Sequence, residues 1–363
     1  MTAIAPESLL GTTADLHVSS FTRLPSPADV HAELPAEPTD AALVRRSRAE
    51  VRAVLDGRDD RLLVIVGPCS IHDPDAALDY ARHLLGEAIR HRGDLLVVMR
   101  AYFEKPRTTI GWKGLINDPH LDGSHDIATG LRRARALLRD VVGMGLPCAT
   151  EFLEPISPQY IADLVTWGAI GARTAESQIH RQLASGLSMP IGIKNGTDGS
   201  LQVALDAASA ARQAQAFLGI GADGRASLVA STGNPDVGVI LRGGADGPNH
   251  GPAPVAGAAA RLAAAGLPPR LIIDASHDNS GKDHVRQAVV AEEIAQQVAD
   301  GSAAIAGVML ESNLVAGAQR LDVAAGPAGL VRGQSVTDAC MGWEASVRAL
   351  DTLAAAVRAR RGS

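Results

Sequence analysis

Residues 62–69 read LLVIVGPC, a short apolar run with several β-branched residues that leads into a glycine and a proline. A continuous apolar run of this length, followed by turn residues, is typical of a strand buried on both faces of a parallel sheet. An alanine-rich stretch of helical character follows at residues 75–92. This part of the chain therefore predicts a parallel strand followed by a helix.

The same alternation continues toward the C-terminus. Seven more runs of strand type lie at residues 95–100, 147–152, 169–174, 190–195, 237–244, 270–277 and 305–312. Further helical stretches lie at residues 127–145, 158–167, 176–187, 200–216, 253–266, 284–300 and 337–359. Eight strand–helix units predict an α/β fold, a closed (β/α)8 TIM barrel. A doubly wound open sheet is the alternative, although such a sheet seldom needs eight strands.

One segment interrupts this alternation. GRASLVAST at residues 224–232 predicts a β-strand inserted between the fifth and sixth barrel strands. GIGADG at residues 219–224 has the glycine spacing of a dinucleotide-binding loop. A strand rather than a helix is predicted after it, so the helix N-terminus that would bind phosphate is missing. We therefore expect no nucleotide site there.

The first sixty residues differ from the rest. Residues 21–40 are proline-rich, and an amphipathic helix is expected after them, with Asp40 as its N-cap and Gly57 as its stop. We interpret residues 1–60 as an N-terminal arm and lead-in helix for oligomer contact or regulation, and residues 61–363 as the catalytic barrel.

Composition excludes several functional classes. Among 363 residues, 46% are hydrophobic but only 3% are aromatic, which suits aliphatic parallel strands covered by helices. A net charge of −6 argues against a nucleic-acid partner. We found neither a run long enough to span a membrane nor a secretory pattern, so we expect a cytoplasmic protein without a membrane partner. The three cysteines form no disulfide framework.

A side chain of functional type lies at the end of every strand run. The C-terminal ends of barrel strands meet at one mouth, which is where TIM-barrel active sites lie. One such residue would be ordinary, since strands reach solvent there, but eight together predict a single pocket. In chain order they are Cys69, Arg100, Glu151, Arg173, Lys194, Arg242, His277 and Glu311.

Four of these eight side chains are cationic, and Lys105 and Arg107 add two more cations from the segment after Arg100. A cluster of cations in an acidic protein is costly unless anionic ligands compensate it, and guanidinium groups favour carboxylate and phosphate oxygens. We therefore expect strongly anionic, phosphorylated substrates. The cationic set is Arg100, Lys105, Arg107, Arg173, Lys194 and Arg242.

The other side chains offer potential metal ligands. Cys69, His277, Glu311 and Asp338 combine sulfur, imidazole and carboxylate donors, which suits a catalytic divalent ion with an open position. Manganese, iron, cobalt and zinc all remain possible for such a donor set. Cys148 is interpreted as a buried strand residue and Cys340 as part of a helix.

The chain matches a known family in order from about residue 15 to the C-terminus, most clearly in seven stretches that lie between residues 67 and 344. They resemble the type I 3-deoxy-D-arabino-heptulosonate 7-phosphate (DAHP) synthases, the first enzymes of the shikimate pathway. The KPRTT motif is the family's signature for a four-carbon aldehyde. The stretches are GPCSIHDP (67–74), MRAYFEKPRTTIGWKGLINDP (99–119), WGAIGARTAESQIHRQLASGLSMPIGIKNGTDG (167–199), ILRGG (240–244), DASHDNSGK (274–282), GVMLESNLVAG (307–317) and SVTDACMGWE (335–344).

The resemblance implies a metal-dependent condensation of phosphoenolpyruvate with D-erythrose 4-phosphate that releases phosphate. The implied metal ligands are Cys69, His277, Glu311 and Asp338, with manganese expected and iron, cobalt or zinc as alternatives. The implied phosphoenolpyruvate contacts are Arg100, Lys105, Arg173, Lys194 and Arg242. The implied erythrose 4-phosphate contacts are Pro106, Arg107 and Thr108, with Asp338 near the sugar hydroxyls. The implied catalytic set is Lys105 as proton donor, Glu151 holding a water, and the ligands Cys69 and His277.

The resemblance also implies regulation. Family members commonly bind an aromatic amino acid in a cleft away from the active site. Pro155 stands where an apolar unbranched residue is frequent, which leaves the identity of the effector open. We also expect a homo-oligomer, either a dimer or a tetramer. The residues that match the effector cleft are Gln159, Leu183, Leu187, Ser188, Phe217 and Val229.

Two alternatives remain at this point. The first is a phosphoenolpyruvate-dependent synthase that uses a different aldehyde. The second is a regulatory relative that kept the barrel and lost its chemistry, for which we would expect damage in KPRTT or the metal set. Neither set is damaged in this chain.

Overall fold

The computed structural model describes residues 13–107, 109 and 111–362. Within them, the strands are β1 Leu62–Gly67, β2 Leu95–Arg100, β3 Cys148–Glu151, β4 Trp167–Ile170, β5 Ile191–Lys194, β6 Ala216–Ile220, β7 Ala226–Ala230, β8 Val237–Leu241, β9 Leu271–Asp274 and β10 Ile305–Glu311. The α-helices are α1 Pro27–Glu33, α2 Pro38–Leu55, α3 Pro74–Arg90, α4 Ile127–Gly143, α5 Pro158–Ile161, α6 Gln178–Gly186, α7 Leu201–Ala211, α8 Pro252–Ala264, α9 His284–Ala299 and α10 Trp343–Gly362.

Eight of the described strands close into one barrel, in the order β1-β10-β9-β8-β5-β4-β3-β2. Every neighbouring pair in this ring is parallel. The predicted TIM barrel is therefore confirmed, and the open sheet is excluded because β1 pairs with β10.

The insertion lies where the sequence predicted it, between the fifth and sixth barrel strands. It consists of two antiparallel strands, β6 and β7, rather than one. The helix predicted over residues 200–216 ends at Ala211. Ala216, the last residue of the predicted range, is the first residue of β6. The GIGADG segment forms the hairpin turn, in which Gly221 N donates to Arg225 O and Gly224 has a φ of 77°.

Several other predicted boundaries were wrong, and the helix predicted over residues 158–167 is only α5 Pro158–Ile161 followed by a short 3-10 turn. The fourth strand is Trp167–Ile170 rather than 169–174, because the polar residues after Ile170 turn away at the barrel mouth. The last helix begins at Trp343 rather than at residue 337. Cys340 is therefore not helical, because it pairs with Gly317 in a short antiparallel bridge instead.

Helix α2 closes the bottom of the barrel. Arg48 in α2 donates to Val165 O, just before β4, and Arg52 pairs at 2.5 Å with Asp236, just before β8. Val51 and Val54 are fully buried in the cluster that fills the barrel interior. Helix α2 thus plugs the end of the barrel opposite the mouth.

Two details of this segment differ from the sequence prediction. The N-cap of α2 is Glu37, and Asp40 occupies the third helical position, where its carboxylate accepts from Glu37 N at 2.9 Å. Helix α1 was missed because it lies inside a proline-rich stretch. It begins at Pro27, a first-turn position that tolerates proline, and Ser26 caps it.

The barrel interior is filled by aliphatic side chains around two aromatic residues, Trp167 and Tyr102. Trp167 is fully buried, and a Cβ built at Gly192 would lie 2.3 Å from its ring. Glycine is therefore required on β5 so that the indole fits between the strands.

In the part of the chain that the structure describes, we found no helix with the length and hydropathy needed to cross a lipid bilayer.

Candidate active site

A cavity of about 250 Å³ opens at the C-terminal mouth of the barrel. Nine of the residues predicted for the site line it, from five strand ends and two loops. These nine are Lys105, Pro106, Arg107, Glu151, Arg173, Lys194, Arg242, His277 and Asp338. Thr108 lies outside the described residues.

The remaining predicted residues lie beneath this cavity. Cys69 and Arg100 are fully buried, and Glu311 is 1% exposed. One ligand atom each from Cys69, Glu311 and Asp338 lies within 4.8 Å of the others. His277 is outside this group of three, although it lines the same cavity as Asp338.

Lys105 contacts two members of this group. Its Nζ lies 3.0 Å from Cys69 Sγ and 3.7 Å from Asp338 Oδ2. Burial by itself would lower the pKa of Lys105, but the acidic groups of Cys69, Glu311 and Asp338 raise it above its ordinary value. The ammonium is therefore fully protonated at neutral pH and able to donate a proton.

Burial and the charge of Glu311 raise the pKa of the Cys69 thiol to about 12. A coordinated metal ion reverses this, because a thiol that binds a metal is deprotonated. One soft sulfur, two carboxylates and a nearby imidazole are donors that suit Mn²⁺, Fe²⁺, Co²⁺ or Zn²⁺. The donor set therefore fits a divalent transition-metal ion.

Arg100 does not line the cavity. Its guanidinium lies 2.8 Å from Glu311 Oε1, donates to Cys69 O at 3.2 Å and lies 3.6 Å above the ring of Tyr102. Arg100 thus fixes two of the potential ligand residues from below. The direct substrate contact that the resemblance implies for this side chain stays a prediction.

The cations of the cavity differ in whether a carboxylate of the protein is paired with them. Lys194 lies 2.9 Å from Asp274, and Arg242 is hydrogen-bonded to Asp278. Among the described residues, Arg107 and Arg173 have no carboxylate within 4.0 Å of their guanidinium groups. Within the same described part of the chain, Lys282 also lines the cavity and has no carboxylate within 4.0 Å of its ammonium group, so three cations are available for the charge of a bound anion.

The position of the Glu151 carboxylate requires a glycine at residue 171, which lies opposite it. A Cβ built at Gly171 would lie only 2.2 Å from Glu151 Oε1. Any other residue at position 171 would force this carboxylate to shift from its position in the cavity that both residues line.

Sequence reasoning missed several residues of the mouth. Asp274 ends β9, but the same run also contains His277, which we selected instead. Lys282 lines the cavity and closes the DASHDNSGK motif. Thr109 and Thr197 also line it, and both lie in stretches that we quoted without assigning them.

Asn195 fixes the backbone beside two of the cavity cations, Lys194 and Arg242. Asn195 follows β5, accepts from Arg242 N at 2.8 Å and donates to Gly243 O at 2.8 Å. It joins the ends of β5 and β8, so the loops that carry Lys194 and Arg242 are held together.

The residues predicted for an effector cleft lie around the hairpin. Phe217 and Val229 are cross-strand neighbours in β6 and β7. A Cβ built at Gly186, the last residue of α6, would lie 3.7 Å from the Phe217 ring. Leu183 is buried in α6, Leu187 and Ser188 follow that helix, and Gln159 lies exposed in α5.

Glu104 links two loops of the mouth. It is 1% exposed and accepts from Glu154 N at 3.1 Å and from Ser157 Oγ at 2.9 Å. The loop that carries Lys105 is thereby attached to the loop after β3. Burial outweighs these hydrogen bonds and raises the pKa of Glu104 to about 8.

This pKa makes the stability of the protein pH-dependent. Because the folded-state pKa lies above the unfolded value, the folded chain keeps a proton that the unfolded chain loses as pH rises. Relative to Glu104→Gln, we expect the unmodified chain to lose roughly 2–4 kcal/mol of unfolding free energy between about pH 5 and about pH 8. Urea unfolding of both chains at the two pH values measures this. A difference independent of pH would refute the raised pKa.

The chain is similar to known proteins over almost its whole length. The model of the DAHP synthetase I family matches residues 34–351. A phospho-2-dehydro-3-deoxyheptonate aldolase of Corynebacterium glutamicum is 56% identical over 97% of this chain and 96% of its own length. The Phe-sensitive form from Escherichia coli is 51% identical over 96% of this chain and 98% of its own length. The structure of the Francisella tularensis aldolase superposes with a TM-score of 0.91 at 50% identity, covering 94% of this chain and 99% of that one.

Proposed function

The chain belongs to the DAHP synthetase I family and is a DAHP synthase, the transferase of the first shikimate step, and on this premise we propose its substrates, metal and site. We propose that it condenses phosphoenolpyruvate with D-erythrose 4-phosphate, with the help of one divalent metal ion. The observation that carries this proposal is a single cavity in which cations adjoin a sulfur and carboxylate cluster.

Phosphoenolpyruvate would bind among the cations. Arg173, Lys194 and Arg242 line one cavity and suit its phosphate and carboxylate oxygens. Arg107 and Pro106 line the same cavity and would receive the phosphate of erythrose 4-phosphate together with Thr108. Arg100, which pairs with Glu311 beneath the cavity, would contact the carboxylate of phosphoenolpyruvate from below.

Cys69, His277, Glu311 and Asp338 would hold the metal ion, which supplies Lewis acidity toward the aldehyde. Manganese is the ion we propose, with iron, cobalt and zinc as alternatives. Carbon 3 of phosphoenolpyruvate attacks the aldehyde carbon and forms the new C–C bond, and Lys105 donates its proton to the aldehyde oxygen.

Glu151 would then orient a water molecule toward carbon 2, where positive charge develops. Addition of this water gives a hemiketal phosphate and returns one proton to Lys105. The hydroxyl at carbon 2 then gives its proton to the phosphate, and cleavage of the bond between carbon 2 and the phosphate oxygen gives DAHP and inorganic phosphate. Arg173 and Arg242 would stabilise the phosphate as it leaves. Fixed charges of this kind typically contribute a few kcal/mol to the transition state.

The test is phosphate release by the purified protein. We expect release only when phosphoenolpyruvate and erythrose 4-phosphate are both present, loss of release with a chelator, and recovery with Mn²⁺. Mass spectrometry identifies the product as DAHP. Equal release with arabinose 5-phosphate would favour the alternative aldehyde, and release from phosphoenolpyruvate alone would contradict the condensation.

We also propose that an aromatic amino acid inhibits the enzyme. The relatives in Escherichia coli include Phe-sensitive and Tyr-sensitive forms, and one in Enterobacter agglomerans is Trp-sensitive. Phe217 and Val229 form an apolar pair against α6, away from the mouth, which supports a site there.

We expect at least one of phenylalanine, tyrosine and tryptophan to inhibit turnover at millimolar concentration or below. Phe217→Ala is expected to weaken this inhibition at least tenfold with little change in kcat, because Phe217 does not line the catalytic cavity. Titration of the three amino acids into the assay measures both effects. No inhibition by any of them would count against the proposal.

A homo-oligomer is proposed as well, either a dimer or a tetramer. Leu218 and Leu228 form a cross-strand pair on the hairpin and are 88% and 75% exposed. Exposed apolar pairs of this kind favour protein contacts. Light scattering of the purified chain measures the number of subunits, and a monomer would contradict the proposal.

A further inference from the structure

Asp274 is the last residue of β9, and its side chain is fully buried below the mouth. One of its oxygens, Oδ2, lies 2.8 Å from His277 Nδ1 and 2.9 Å from Lys194 Nζ. A single carboxylate oxygen therefore contacts one side chain proposed for the metal and another proposed for the substrate anion.

The hydrogen bonds around His277 determine which of its two ring nitrogens is left with a lone pair to bind a metal ion. Ser276 Oγ donates its only proton to Asp274 Oδ1, at 2.5 Å. The hydroxyl is then an acceptor toward His277 Nδ1, which is 2.7 Å away. Both neighbours of Nδ1 are acceptors, so Nδ1 carries hydrogen, and the neutral ring presents a lone pair on Nε2. That is the nitrogen a metal ion would bind.

The same carboxylate also holds Lys194. This side chain is only 3% exposed, and a buried ammonium group needs a counter-charge. Asp274 supplies it across the barrel mouth: Lys194 ends β5, Asp274 ends β9, and β8 lies between these two strands. The ammonium group is thereby held in place at the wall of the cavity.

We propose that Asp274 is a positioning residue that serves both halves of the site at once. It orients His277 for the metal ion and Lys194 for phosphoenolpyruvate, and it touches neither ligand itself. This inference rests on the proposed function. Its consequence is that loss of Asp274 weakens metal binding and phosphoenolpyruvate binding together, whereas loss of Lys194 weakens phosphoenolpyruvate binding alone.

Three variants separate these effects: Asp274→Asn, Lys194→Met and the double variant. Metal-free protein at about pH 8 is titrated with Mn²⁺ against a competing chelator and, separately, with phosphoenolpyruvate by calorimetry. We expect Asp274→Asn to weaken Mn²⁺ binding about 10–100-fold, as for other residues that orient a ligand histidine. We expect it to weaken phosphoenolpyruvate binding about tenfold. Lys194→Met is expected to leave Mn²⁺ binding within about twofold of the unmodified chain.

The double variant controls for folding. Asp274→Asn alone leaves a buried ammonium without its counter-charge and lowers the melting temperature, whereas the double variant lacks both charges. We expect the double variant to keep the Mn²⁺ defect of Asp274→Asn and to bind phosphoenolpyruvate no more weakly than Lys194→Met. Normal Mn²⁺ affinity in the double variant would overturn the proposal, and so would an Asp274→Asn variant that is impaired only in melting temperature. If the unmodified chain binds neither Mn²⁺ nor phosphoenolpyruvate, the proposed function itself is wrong.

Discussion

Replacement of Cys69 by alanine is expected to leave a folded barrel that binds little metal and has almost no turnover. Cys69 Sγ is the sulfur donor of the ligand cluster, 3.4 Å from Asp338 Oδ2 and 3.0 Å from Lys105 Nζ. Lewis-acid stabilisation is worth several kcal/mol, so its loss corresponds to a fall in kcat of about a thousandfold or more. Elemental analysis of the purified variant and a steady-state assay measure the two effects.

Cys148→Ala is the matched control. Cys148 is also a fully buried thiol in the barrel, at the start of β3, but it lies at the opposite end of its strand from the mouth. Both substitutions remove one buried sulfur and are expected to cost similar stability, on the order of 1–3 kcal/mol. Only Cys69→Ala is expected to lose metal. Full activity with normal metal content in Cys69→Ala would reject the ligand assignment.

Lys105→Met is expected to lower kcat by about 100–10,000-fold while the protein still binds Mn²⁺. Methionine keeps the apolar part of the side chain and removes the proton that we assign to the aldehyde oxygen. The raised pKa of Lys105 keeps that proton in place at neutral pH. Steady-state kinetics and a Mn²⁺ titration measure this pair of effects.

Lys113→Met is the control for charge on the same loop. Lys113 is exposed, and its backbone oxygen accepts from Lys105 N at 2.8 Å. Its side chain does not line the cavity, so we expect normal kinetics. A Lys105→Met variant with near-normal kcat would show that another group, such as Lys282, delivers the proton.

The barrel was predictable from sequence because its strands are buried on both faces. Such strands appear as continuous apolar runs, as in residues 62–67, and the polar residue that ends each run marks the mouth. The convergence of Glu151, Lys194 and Arg242 on one cavity follows from topology alone, since parallel strand ends meet at the same end of a barrel.

Other features depend on tertiary contacts that no local pattern contains. Helix α10 starts six residues later than predicted, because Cys340 pairs with Gly317 instead of continuing a helix. Arg100 lies beneath the cavity because Glu311 and the Tyr102 ring hold it there. Asp274 was overlooked because its role depends on Lys194, eighty residues earlier in the chain.

The central claim is that one barrel mouth holds a metal ion beside the cations that bind phosphoenolpyruvate. Anomalous diffraction from crystals of the protein soaked with Mn²⁺ and phosphoenolpyruvate tests it most directly. We expect one manganese peak bonded to Cys69 Sγ and His277 Nε2, with the ligand phosphate against Arg173 and Arg242. A manganese peak remote from Cys69, or phosphoenolpyruvate bound outside the mouth, would contradict it.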